Sequence, residues 1–387
     1  MKAVDLHDLK TAYAYKSNAD LKLTHFVFNT LQKPILLGLL KSCANGIVKY
    51  NLPFQSIIKK TIYKLFCAGE NIEEAFKLIR YLDSYHVKSV LDYVSEGEKT
   101  EAAFSLNAKT ILENVIRVGK ECPGNYVSVK ITGLEDPDFL GKINSKTFPI
   151  NNPRFDKLLE RVDAICNAAQ KHQVIVYIDA EDRYMQDIID AITEHMMEKY
   201  NTQQVVVFNT LQMYLKDRLK YLEGLIATAK QKKYIAGIKL VRGAYVEKER
   251  ETALKEKRES PVFDTKDQTD KSFNAAVELC LQNHALIATC IASHNYNSTQ
   301  LALDLMQKYH ITDINKVRFS QLYGMCDGIT FNLAAAGYSV SKYLPYGEVK
   351  KAIPYLIRRS EENTSINGQV NDELHRLQKE INNRKHH

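Results

Sequence analysis

From about residue 85 onward the chain repeats one unit, a short run of β-branched and aromatic residues followed by a segment of helical period. This alternation limits the fold more than any other feature, because a strand that leads into a crossover helix returns parallel to the strand before it. The runs are Lys88–Val94, Tyr126–Thr132, Val174–Ile178, Val205–Phe208, Ile235–Val241 and Ala285–Ile291, then two weaker ones at Val317–Phe319 and Tyr338–Tyr343. Between them, apolar residues fall on single helix faces: Phe155, Leu158, Leu159, Val162 and Ile165; then Met185, Ile188, Ile189, Ile192 and Met196; then Leu215, Leu219, Leu222 and Ile226. Asn152-Pro153 is a start signal for the first of these helices.

Eight such units fit a closed (β/α)8 barrel of the TIM type, which takes about 250 residues, better than an open doubly wound sheet. The first strand leads into Ser95-Glu-Gly-Glu98, not the glycine-rich turn of a dinucleotide-binding unit. The expected class is α/β, with the barrel over residues 86–365. Residues 1–85 show no strand alternation. Ile35–Leu40, Val48, Ile57–Ile58, Ile62–Leu65 and Ala75–Ile79 mark them as an N-terminal helical arm, and residues 366–387 as a C-terminal helix or tail. Two long connections, Gly133–Asn152 and Glu247–Asp270, follow strands and are expected over the barrel mouth.

The net charge of +7 is spread out, and its densest runs, Lys248–Arg258 and Arg376–His387, carry acids as well. That argues against a nucleic-acid-binding face. Cys43, Cys67, Cys122, Cys166, Cys280, Cys290 and Cys326 include no Cys-x-x-Cys pair. Neither a disulfide framework nor a structural zinc site is expected, and the reading is buried thiols in a reducing compartment. The N-terminus lacks the apolar core of a signal peptide, and no apolar stretch approaches the ~20 residues that span a bilayer. The expectation is a soluble protein, at most a visitor to a membrane surface.

Barrel enzymes carry their chemistry at the C-terminal ends of the strands. Here those ends hold Lys130, Asp179-Ala-Glu181, Gln212, Lys239-Leu-Val-Arg242, Ser293-His-Asn295, Gln321 and Tyr343. Each has a plain structural reading. Lys130 would bridge to Asp179, Asp179 would cap the next helix, and His294 would be a hydrogen-bonded core histidine. Taken together, they place more polar groups in one plane than a packed core tolerates. In the last helix of the barrel, Tyr355, Arg358, Arg359 and Glu362 share a face. They form either a solvated stripe with an Arg358–Glu362 pair or a clamp whose guanidinium forks grip a carboxylate. P-loop, zinc-protease and nucleophile-elbow motifs are absent. A Schiff-base lyase using Lys130 or Lys239 is the main rival chemistry.

Lys239-Leu-Val-Arg-Gly-Ala-Tyr245, Gln321-Leu-Tyr-Gly-Met325, Tyr343-Leu-Pro-Tyr-Gly347 and Tyr355-Leu-Ile-Arg-Arg-Ser-Glu-Glu-Asn363 together resemble the proline dehydrogenases. The resemblance covers about residues 85–365 and is loose in the N-terminal arm. It implies a distorted barrel with FAD over the strand ends, and oxidation of L-proline to 1-pyrroline-5-carboxylate by hydride transfer to flavin N5. Arg358 and Arg359 would bind the carboxylate, while Lys130, Asp179, Leu240, Tyr245, Tyr343 and Tyr355 would shape the substrate pocket. Lys130 and the two arginines would count as catalytic. Gln212, Lys239, Val241, Gly243, Lys266, Ser293, His294 and Glu362 would contact FAD.

Lys239 and Arg242 stand in the opposite order to the Arg…Lys of the bifunctional bacterial members and look like the monofunctional and mitochondrial ones. Tyr343 points to proline, since members that prefer hydroxyproline have a smaller Ser there. The resemblance further implies a quinone as electron acceptor and a separate 1-pyrroline-5-carboxylate dehydrogenase as the next enzyme. The location implied is the cytoplasm or the inner face of a membrane, with the basic stretch Leu374–His387 as a candidate contact.

Overall fold

The computed structural model describes residues 4–31, 58–94, 99–148, 150–365 and 367–385. Eight strands run in chain order: β1 Lys88–Tyr93, β2 Tyr126–Val129, β3 Ile175–Ile178, β4 Val207–Gln212, β5 Ala236–Val241, β6 Ile287–Ala292, β7 Val317–Leu322 and β8 Ser339–Tyr346. They close into a barrel in that order. The pairing is parallel, as between β4 and β5 or β1 and β8. Every β-branched run of the sequence became a strand, but some ends moved. The fourth run starts later, because the Asn201 side chain takes the N–H groups of Val206 and Val207. β4 and β7 then extend through Gln212 and Gln321, polar residues that break the apolar pattern marking a strand. β2 stops at Val129, and the chain turns at Ile131–Gly133.

The chain divides into two compact units. Ser95–Ser320 carries most of the barrel. Helix Pro153–His172 starts as expected: Asn152 accepts from the N–H groups of Arg154 and Phe155, with Pro153 in the first turn. It buries Phe155, Leu158, Val162 and Ile165, each worth about 1.5–3 kcal/mol of apolar burial. Helix Arg183–Tyr200 buries Met185, Ile188, Ile189, Ile192 and Met196. The helix after β4 departs from the expected face. It spans Arg218–Lys232 and buries Arg218, Leu222, Leu225 and Ala229, while Leu215 precedes it. Burial of Arg218, which pairs with Asp190 at 2.6 Å, turns the inward face away from Leu219 and Ile226. The long connections contain structure of their own. Gly133–Asn152 holds helix Pro137–Leu140, and Glu247–Asp270 falls largely in helix Val246–Lys255 and the start of helix Lys266–Gln282.

The second unit joins Lys2–Val94 to Gln321–His387. Its apolar cluster includes Tyr13, Leu21, Phe28 and Phe66 from the N-terminal part, and Ala352, Leu356 and Leu377 from the C-terminal part. Ile35–Leu40, Val48 and Ile57 lie outside the described residues. Helix Asn367–Asn383 turns Leu374, Leu377 and Ile381 onto this cluster. A charged group lies beside it. Asp327 opens helix Asp327–Ala335 and contacts Lys342 of β8 at 2.9 Å and Lys16 at 3.3 Å, and it accepts from the Tyr15 hydroxyl at 2.8 Å.

Cys67, Cys122, Cys166, Cys280, Cys290 and Cys326 are free thiols and buried. Burial pushes the Cys280 thiol up to about 12, with a smaller opposing pull from Thr289. Among the described residues no helix is long and apolar enough to cross a membrane.

Candidate active site

β3 and β5 are separated by β4, so the ion pair of Asp179 with Lys239, at 2.7 Å, crosses the barrel interior. Asp179 also accepts from Ser128 at 2.7 Å and lies 3.8 Å from Lys130, just past the end of β2. Burial alone would raise the carboxyl's pKa. The Lys239 and Lys130 charges, helped by the Lys239 and Ser128 hydrogen bonds, outweigh it and hold the group at about 2. Two lysines therefore flank the Asp179 carboxylate. Asp179 does not cap the following helix. That helix begins after Asp182, which makes no side-chain cap, and Glu249 takes the Arg183 N–H instead, at 2.7 Å.

Gln212 ends β4 with its amide bonded to two backbone groups. Nε2 donates to the Glu181 carbonyl at 2.7 Å, and Oε1 accepts from the Ala244 N–H at 3.5 Å. The carboxylate of Glu181 accepts from the backbone N–H and hydroxyl of Thr132, and its own N–H donates to Gln186. Gln186 passes on to Asp190, where Asn209 and Arg218 also converge. Thr132, Gln186 and Asp190 were missed in the sequence. The signal for the last two was a Gln and an Asp four apart on an apolar face beside Met185 and Ile189.

After β5, Arg242 uses its whole fork. Nε donates to Asp270 at 2.6 Å, Nη1 to Ser293 at 2.7 Å and Nη2 to Ser298 at 2.9 Å. Leu240 is fully buried in β5; Val241 and Tyr245 are half-buried. Gly243 has φ +127° with the Tyr214 ring against its α-carbon, so that a β-carbon would lie 1.5 Å from a ring atom. Tyr214 by itself therefore accounts for the glycine. Lys266 opens helix Lys266–Gln282, is exposed, and pairs with Asp270 at 2.5 Å. Ser293 is buried just past β6 and His294 half-buried beside it.

In the second unit, Lys342 of β8 reaches Asp327 of the neighbouring helix, so Tyr343 stands on the other face of the strand. Helix Val349–Ser365 carries Tyr355, buried, and Arg358, half-buried. The side chains of Arg359 and Glu362 lie outside the described residues.

A model of the proline dehydrogenase family matches residues 75–372, which takes in all eight strands and every candidate site residue. The chain belongs to the proline dehydrogenase family. It is 30% identical to a mitochondrial proline dehydrogenase 1 of Dictyostelium discoideum, over 97% of this chain and 74% of that one. It is 32% identical to the carbapenem antibiotics biosynthesis protein CarD of Pectobacterium carotovorum, over 83% of this chain and 84% of that one. Among solved structures it resembles proline utilization A from Bdellovibrio bacteriovorus inactivated by N-propargylglycine, with a TM-score of 0.73 at 20% identity. That likeness covers 92% of this chain and 38% of the other, and it speaks for the fold.

Proposed function

We propose that the chain is an FAD-dependent L-proline dehydrogenase that forms 1-pyrroline-5-carboxylate, the first step in converting proline to glutamate. The observation that carries this reading is the buried Asp179–Lys239 pair, with half-buried Lys130 beside it, at the strand ends of a barrel whose sequence matches the family. The donor set fits a flavin. Lys239, Gln212, Ser293 and His294 offer cationic or hydrogen-bonding groups at the ends of β4, β5 and β6, suited to ring carbonyls, ring nitrogens and a pyrophosphate. Lys266, Val241, Gly243 and Glu362 complete the proposed cofactor contacts. When bound, FAD supplies the two-electron acceptor for the hydride on the proline carbon next to nitrogen.

The chain's own groups bind and orient proline. Arg358 and Arg359 grip the carboxylate with planar forks. Tyr343, Tyr355, Tyr245 and Leu240 wall the ring and exclude water. Lys130 and Asp179 border the amine, and the nearby cations lower its pKa so that the neutral, reactive form is populated. Electrons then leave to a quinone, and a separate 1-pyrroline-5-carboxylate dehydrogenase consumes the product. The location proposed with this reading is the cytoplasm, or the periphery of a membrane's inner face.

Purified protein is expected to be yellow, and anaerobic proline is expected to bleach it. A colourless protein that cannot be loaded with FAD, together with borohydride trapping of substrate on a lysine, would replace this reading with the Schiff-base one. Tyr343→Ser is expected to shift the ratio of kcat/KM toward hydroxyproline by about tenfold, roughly one hydrogen bond's worth of discrimination. An unchanged ratio would take Tyr343 out of the pocket.

A further inference from the structure

Arg218 and Arg318 both send a guanidinium into the first unit, but they meet different neighbours. Arg218 pairs with Asp190 at 2.6 Å. Arg318, the second residue of β7, is half-buried and stands in register with Cys290 of β6. Among the described residues no carboxylate pairs with it, and its Nε and Nη1 atoms are buried without a hydrogen-bond partner. What the guanidinium meets is aromatic. It lies 5.9 Å from the Tyr126 ring centroid and 5.6 Å from that of Phe208, at the outer end of the useful range of about 6 Å. Tyr126 opens β2 and Phe208 is the second residue of β4. The group therefore sits at the strand starts, the end of the barrel away from the candidate active site.

Tyr177 of β3 completes it. Its ring is fully buried, with its centroid 5.7 Å from that of Tyr126 and 5.0 Å from that of Phe208. Its hydroxyl is a further buried group without a hydrogen-bond partner. Burial holds that hydroxyl well above its ordinary pKa, against a weaker opposing pull from Arg318. Burial likewise raises the Cys290 thiol against the pull of Lys239 and Arg318. Neither neighbour thus supplies a negative charge at neutral pH. An arginine keeps its proton in a protein, and a buried charge without a counter-charge is strongly destabilising.

We propose that Arg318 anchors a binding site for a small inorganic anion, chloride in size and charge, at the strand-start end of the barrel. The Tyr177 hydroxyl is the second donor. The packed rings of Tyr126, Tyr177 and Phe208 keep the ligand small, and the half-buried guanidinium gives it a way in. The ion supplies the counter-charge that Asp190 gives Arg218. The site is independent of the proposed flavin chemistry.

Line broadening of the chlorine magnetic resonance by the full chain as purified tests it, in chloride–gluconate mixtures of constant ionic strength. The original protein is expected to give a saturable broadening that bromide displaces. Arg318→Met is expected to weaken chloride by about tenfold or more, the loss of a hydrogen bond to a charged group. Lys230→Met removes an exposed charge and is expected to leave the affinity within about twofold, because salt screens a surface site. No saturable response in the original protein would overturn the proposal, as would an equal response in Arg318→Met. Should Arg318→Met fail to fold, anomalous scattering from bromide in crystals of the original chain decides the matter. A bromide against the Arg318 guanidinium is expected, and bromide found only elsewhere would overturn the site.

Discussion

Asp327→Ala is expected to destabilise the chain by about 3–5 kcal/mol, the range for removing one partner of a buried ion pair. The carboxylate is 2% exposed and the Lys342 side chain 0%, while the Lys16 side chain is 6% exposed. Burial would raise the Asp327 carboxyl, but the Lys342 and Lys16 charges dominate and hold it at about 2. Without it two ammonium groups remain in a region that offers few other acceptors. Lys342 keeps the carbonyls of Leu322 and Met325, and Lys16 keeps the Thr24 hydroxyl. Burial raises the Glu373 carboxyl, and loss of the Asp327 charge relieves a second cause of that rise, so Glu373 offsets only part of the deficit. Urea unfolding measures the loss. Replacing Asp327, Lys342 and Lys16 together by Leu, Met and Met should recover much of it, because apolar groups of similar volume leave no charge stranded. A loss below about 1 kcal/mol in Asp327→Ala would mean that water reaches the lysines and that the cluster is not sealed.

That cluster shows where the sequence was silent. The barrel itself was legible, because strand and helix periods differ and each core helix kept its pattern, as Phe155, Leu158, Val162 and Ile165 did. The face of the helix after β4 was misread because a buried arginine took an inward position that hydrophobic counting reserves for leucine. Lys16, Asp327 and Lys342 are likewise ordinary surface residue types, Lys16 hundreds of positions from the other two, and only tertiary contact makes them core.

The site divides in the same way. Lys130, Asp179, Gln212, Lys239 and Ser293 could be found because a strand end is a recognisable place in a barrel sequence. The Asp179–Lys130 contact was one of the alternatives the sequence held open, and the nearer partner is Lys239, from two strands away. What spacing could not show is what holds these groups. Glu181 clamps Thr132, Gln212 spans two strand ends, and Asp270 reaches Ser293 through Arg242. Supporting bonds of this kind join residues by distance in space, and a single sequence carries no record of them.

Asp179→Asn is expected to lower stability by about 3 kcal/mol at neutral pH, with the deficit shrinking as pH falls. The sign follows from the depressed carboxyl. A group at about 2 in the folded chain, against roughly 3.9 unfolded, contributes its full stabilisation above the unfolded value. It loses that contribution between about pH 4 and pH 2, because the unfolded chain takes up the proton first. The linked free energy is about 2.5 kcal/mol. Below that window the original carboxyl is protonated and electrostatically close to the amide that replaced it, so the two proteins should converge. Urea midpoints at pH 7, 5, 4 and 3 follow the difference. A deficit that stays constant from pH 7 to pH 3 would assign it to lost hydrogen-bond geometry at Ser128 and Lys239, and remove the carboxylate charge as its cause. The same substitution removes the carboxylate that both Lys239 and Lys130 approach. Under the proposed flavin chemistry, weaker retention of FAD should accompany the loss of stability at neutral pH.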